Sequence, residues 1–118
     1  MKVLVITTEN EIYAEDIKEP VHDNLRLLIG NDIVERVRPA GLDTDYVMCV
    51  DEDGLNKELD VNLCGCCLYG PAEHGHPIVG TIVIAKFDGM DYEDMPDDEL
   101  EYLKEAFLEA YSFLEERI

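Results

Sequence analysis

Apolar positions along the chain follow two periods. Val3, Leu4, Val5 and Ile6 succeed one another without a polar break, which predicts a strand covered on both faces. Glu9-Asn10-Glu11 interrupts as a turn, and residues 12–17 predict a shorter strand with Ile12 and Ala14 on one face. The period then changes. Val21, Leu25, Leu28 and Ile29 stand at i, i+4, i+7 and i+8, the apolar stripe of a helix over 21–29. Pro20 suits the position before that helix or its first turn, and Gly30-Asn31 suits a left-handed stop. Strands are expected over 33–38, closed by Pro39-Ala40-Gly41, and over 46–50. Asp51-Glu52-Asp53-Gly54 reads as the following turn, with Gly54 available for positive φ.

Residues 55–60 fit a helical turn or a loop alike, residues 61–69 carry a Cys-Gly-Cys-Cys run, and 70–75 read as loop. The longest later β-branched run, residues 76–87, reads as the strand around which the rest is organised. Leu100, Leu103, Phe107, Tyr111, Leu114 and Ile118 recur at three- and four-residue steps and predict a helix from about Met95 to Arg117. Pro96 and the acids Asp97, Asp98 and Glu99 favour its N-terminus through the macrodipole. Strands outnumber helices and no βαβ repeat is visible. The pattern predicts one α+β domain over residues 1–118. Its mixed or antiparallel sheet has about five strands, with one short helix and a longer C-terminal amphipathic helix packed on one face.

Composition changes the picture through charge. With 28 acidic against 9 basic side chains the net charge is −19, where a small soluble domain carries a magnitude of about 2–8. Such a chain repels nucleic acid, whose backbone demands Lys and Arg. Its expected partners are basic surfaces, cations, or proteins whose own ligand is a polyanion. The apolar run at the N-terminus is too short for a signal peptide, and no run approaches the roughly 18 apolar residues of a membrane span. The expected compartment is the cytoplasm, where the four cysteines would be reduced thiols or metal ligands.

Cys64 and Cys67 have C-x-x-C spacing, and His74 and His76 follow on an extended stretch that points both rings to one side. Two thiolates and two imidazoles would suit tetrahedral zinc. The same run also reads as small residues packed beside a sheet, because a reduced cysteine behaves as a small hydrophobe; Cys49, inside a predicted strand, reads as core. Asp51-x-Asp53-Gly54 resembles the start of a calcium loop, but Asn62 stands where the bidentate Glu belongs, so a solvated turn is expected. Ser112 is the only serine, and no nucleophile elbow or phosphate loop occurs. A Cys67–His74 pair would be the remaining nucleophile, and nothing in the spacing supports it. The chain therefore does not read as an enzyme.

The strongest signal is acidic. Residues 91–118 hold 11 acids and 2 bases, net −9. Glu101, Glu105, Glu109 and Glu116 fall on the side of the terminal helix opposite the Leu100/Phe107/Tyr111/Leu114 stripe, where successive i, i+4 carboxylates rise about 6 Å along the axis. Such a row is either the solvated face of an acidic protein or an imitation of a polyanion, presented to a protein that grips phosphates.

Several segments carry a family resemblance. They are Asp60-Val61-Asn62-x-x-Gly65-x-x-Leu68-Tyr69-Gly70 and His74-Gly75-x-Pro77-Ile78-Val79-Gly80, with the opening Lys2-Val3-Leu4-Val5-Ile6, Leu25-x-x-Leu28-Ile29-Gly30 and Ile33-Val34-Glu35. Together they resemble an uncharacterised domain-of-unknown-function family of small proteins from Gram-positive gut bacteria, their phages and mobile elements. That resemblance implies no enzyme activity and no cofactor. It does not call for cysteine at positions 64, 66 and 67, which weakens the zinc reading. Its mobile-element setting implies a role against host defence, such as inhibiting a nucleic-acid-guided nuclease or a restriction system. The expectation is an acidic protein-binding module, a DNA mimic of anti-CRISPR or anti-restriction type, acting through Asp97, Asp98, Glu101, Glu105 and Glu109. The alternative is a small zinc-binding or accessory domain through Cys64, Cys67, His74 and His76.

Overall fold

The computed structural model describes residues 1–38, 45–70 and 77–110. Six strands form one sheet: β1 (Lys2–Ile6), β2 (Ile12–Asp16), β3 (Val34–Val37), β4 (Tyr46–Asp51), β5 (Ile82–Phe87) and β6 (Tyr92–Glu93). Three helices accompany it: α1 (Val21–Ile29), α2 (Leu63–Tyr69) and α3 (Asp97–Ala110). The strand order is β2-β1-β5-β4-β3, with β6 paired to the end of β5. Every ladder among these strands is antiparallel. Two hairpins, β1–β2 and β3–β4, flank β5, which joins them. A strand paired on both edges and covered on both faces must be apolar throughout, which is why Ile82, Val83, Ile84 and Ala85 are all buried.

Successive side chains of a strand point to opposite faces, and here both faces are dry. Leu4, Ile6, Met48, Val50, Ile82 and Ile84 line one face, packed with Cys64 and Leu68 of α2 and with Leu100, Leu103 and Phe107 of α3. Val3, Val5, Val47, Cys49, Val83 and Ala85 line the other, packed with Leu25 and Ile29 of α1. The sheet is thus sandwiched, which corrects the expectation that all helices share one face. A sheet with two apolar faces has to cover both.

Local signals placed most elements. α1 has the expected bounds, starts directly after Pro20, and ends at Gly30, whose N–H bonds to the Arg26 carbonyl. In β2, Ile12 is buried but Ala14 is exposed. The expected strand over 76–87 is shorter. Gly80 breaks it at φ 78°, leaving Val79 in a single bridge to Val61 and a true strand only from Ile82; position 76 lies outside the described residues. Gly54 is not left-handed. It is required by space instead, since a Cβ there would stand 2.8 Å from Val79 Cγ2 and 3.3 Å from the Asp51 carbonyl oxygen, and Glu58 takes the positive φ of that connection. The stretch 61–69, read only as carrying the cysteines, holds α2 from Leu63 to Tyr69, after the Val61 bridge. The terminal helix is described from Asp97 to Ala110, and the expected Tyr111, Leu114 and Ile118 stripe lies outside the described residues. No helix among the described residues is long and apolar enough to cross a membrane.

Candidate functional site

The five acids of the terminal helix share one exposed face. On an ideal helix of 100° per residue, Asp97, Asp98, Glu101, Glu105 and Glu109 fall within an arc of about 120°, and all five are exposed. Leu100, Leu103 and Phe107, on the reverse side, are buried against the sheet. Glu99 fixes this rotation. It is the acid of the first turn that faces inward, taking both carboxylate oxygens to Lys86 Nζ at 3.2 and 3.1 Å and accepting the Tyr46 hydroxyl proton. Glu99→Ala is expected to cost about 1–2 kcal/mol, as charge-assisted bonds of a half-buried group do, and a urea titration measures it.

The acids on the face are not equivalent. Asp97 is ion-paired with Lys2, and the Lys2 backbone N–H donates to Asp94 Oδ1 at 2.7 Å, so this end of the row is tied to β1. The hydrogen bond and charge of Asp97 raise the Lys2 ammonium above its ordinary pKa. α3 packs over β1 and β2, and β2 is the edge strand, carrying Glu15 and Asp16 exposed. Asp16 is held at about 2 by hydrogen bonds from Lys18 and the N-terminal ammonium. Charge on an edge strand blocks pairing with another chain.

Two apolar side chains interrupt the acids, and the sequence pattern did not single them out. Tyr102 is 71% exposed and Leu108 43% exposed. The signal was available, because both fall off the Leu100/Leu103/Phe107 stripe by helical spacing. An exposed tyrosine ringed by charge is the composition of an interface centre, since aromatic residues are enriched among the side chains that carry binding energy.

The cysteine run is placed differently from the zinc expectation. Cys64 and Cys67 are one turn apart on α2, but Cys64 is buried in the core under the helix and Cys67 is exposed. Cys66 is used structurally: its Sγ accepts the Ile78 N–H at 3.3 Å and its thiol donates to the Ile78 carbonyl at 3.5 Å. Ligation by Cys64 would require it to leave the core. His74 and His76 lie outside the described residues, and among the described residues no group of three or more His, Cys, Asp or Glu side chains is placed to hold a metal. Burial and the neighbouring Cys66 push the Cys67 thiol up, opposite to the lowered pKa of a nucleophilic cysteine.

The Asp51–Asp53 turn holds an internal cation. Lys57 Nζ stands 2.7 Å from Asp51 Oδ2 and 3.2 Å from the Gly30 carbonyl. Asn31 Nδ2 reaches Asp51 Oδ1 at 2.8 Å, and the Asp53 N–H donates to the same oxygen at 2.8 Å. The turn joins β4 to the end of α1, and it is not the open solvated turn expected. Asn62, within one of the segments that carry the family resemblance, is buried as well and belongs to the core.

A family model described as a domain of unknown function, DUF3846, matches residues 1–108. No curated protein and no solved structure matches the chain.

Proposed function

The chain belongs to the DUF3846 family of domains of unknown function, and we propose that it works by binding another protein through the acidic face of α3. The observation that carries this reading is the exposed arc of Asp97, Asp98, Glu101, Glu105 and Glu109 with Tyr102 and Leu108 among them. A chain of net charge −19 concentrates positive partners and repels nucleic acid. The partner of best fit is a protein with a basic, nucleic-acid-binding surface, on which the carboxylates take the place of phosphates. Carried by a phage or mobile element, as the resemblance implies, such a module serves as an inhibitor of a host defence enzyme.

The test is capture from nuclease-treated bacterial lysate on the immobilised protein. Partners held at low salt are expected to elute at about 0.5 M salt, where exposed charges are screened, and to be displaced by duplex DNA. Reversing Glu101, Glu105 and Glu109 to Lys together is expected to weaken retention about 100-fold or more, because like charges across an interface cost several kcal/mol. The same number of reversals at Glu52, Glu58 and Asp60, exposed in the β4–α2 connection, is expected to leave it within a few-fold. An empty column, a partner indifferent to duplex DNA, or equal effects of the two triple variants would sink the reading.

A further inference from the structure

The face of the sheet away from α3 carries a different chemistry. Arg36 of β3 lies over two aromatic rings, its Cζ 4.4 Å from the centroid of Phe87 and 5.6 Å from that of Tyr92. His22 of α1 meets the Tyr92 ring edge-on at 5.7 Å between centroids. Behind them, the Tyr92 hydroxyl is 3.6 Å from Cys49 Sγ. Between α1 and β3, His22, Arg36 and Tyr92 line a cleft of about 300 Å³ together with Leu25, Arg26, Asp32 and Ile33.

We propose that this cleft binds a small organic anion, a carboxylate or phosphate group on an apolar body. Lys2, Lys18, Arg26, Lys57 and Lys86 each meet a carboxylate within ion-pair distance. No ion pair among the described residues engages Arg36, in a chain with three times as many acids as bases. The Arg36 guanidinium also shares a hydrogen bond with the Tyr92 hydroxyl, and its remaining N–H donors suit carboxylate and phosphate oxygens. Arg26 brings a second guanidinium, itself ion-paired with Asp23, and Asp32 is the one carboxylate on the lining, which leaves Arg36 as the lining cation without an ion pair among the described residues. The exposed Ile33 side chain and the Tyr92 ring supply the apolar surface that would take the body of the ligand. Because the whole molecule repels anions, their binding here requires local complementarity, which makes the test specific.

Benzoate and phenyl phosphate are the probes, with benzyl alcohol as the neutral control, titrated into isotopically labelled protein and followed by amide NMR. Signals of residues 22–26, 32–36 and 92 are expected to shift with at least one of the two anions and to stay in place with the alcohol. The anion that binds more tightly identifies the head group. Arg36→Gln is expected to weaken binding tenfold or more while the rest of the spectrum stays dispersed. Should that variant not fold, Arg26→Gln on the exposed side of α1 decides on the same terms. The proposal is overturned if neither anion shifts these signals, if benzyl alcohol shifts them equally, or if the glutamine variant binds as well as the wild type.

Discussion

Asn62→Ala is expected to destabilise the fold by about 3–5 kcal/mol, a large share of the roughly 5–15 kcal/mol of a typical domain. Asn62 is fully buried, and its side chain joins three separate segments. Its amide donates to the Ile6 carbonyl at the end of β1, 3.0 Å away, and to the Gly80 carbonyl before β5, 2.9 Å away. Its Oδ1 accepts the Gly65 N–H at 2.9 Å, capping α2. Alanine leaves two carbonyls and one N–H buried without partners, each worth about 1–3 kcal/mol, and relaxation recovers part of the total. Asn62→Asp keeps the cap but turns a carboxylate toward the two carbonyls, so it is expected to be no milder. Urea unfolding with an unchanged m-value measures the loss. A loss below about 1 kcal/mol would mean that water replaces the side chain at no cost.

The second large effect concerns the Asp51–Lys57 pair. The Asp51 side chain is 2% exposed and that of Lys57 37% exposed, so the two ends are unequal. Lys57→Met leaves a buried carboxylate with only neutral donors and is expected to cost about 3 kcal/mol. Asp51→Asn retains an acceptor for Asn31 and for the Asp53 N–H, and the ammonium it abandons can turn to water, so about 1–2 kcal/mol is expected. The double variant is expected to cost less than the sum of the singles by about 1 kcal/mol or more, since the two groups share one interaction. Additive costs would show that Lys57 is held by the Gly30 carbonyl alone.

Both predictions rest on residues whose roles were hidden in the linear pattern, and the reasons are particular. Asn62 lies between Val61 and Leu63 with nothing local to mark it as a core residue; its partners Ile6 and Gly80 are 56 and 18 positions away. Asp51 and Asp53 read as solvated because the residues that neutralise and hydrogen-bond them, Lys57 and Asn31, are brought by the turn and by the α1–β3 connection. The Cys-Gly-Cys-Cys run has no helical stripe of its own length, and its helix depends on the Asn62 cap and on Gly65, where a Cβ would stand 2.8 Å from Ile78 Cγ2. Short β6 pairs only Lys86 with Glu93 and Phe87 with Tyr92, too little for a period to register.

What the sequence by itself determined is whatever depends on neighbours a few positions apart. The doubly covered β1, the α1 stripe with its Gly30 end, the buried face of α3 and the off-stripe position of its acids all follow from periods of 2 and about 3.6 residues. The α+β class follows from the order of those elements. What only the tertiary structure decided is whatever depends on residues distant along the chain. It placed α1 on the opposite face of the sheet from α2 and α3, and moved Asn62 and Asp51 into the interior. It also separated Cys64 from Cys67 by burial and stacked Arg36 on Phe87 and Tyr92. The physical reason is common to all of these. A period reports which side of its own element a residue occupies, whereas burial, pairing and the cost of an unmet polar group are settled by the element packed against it.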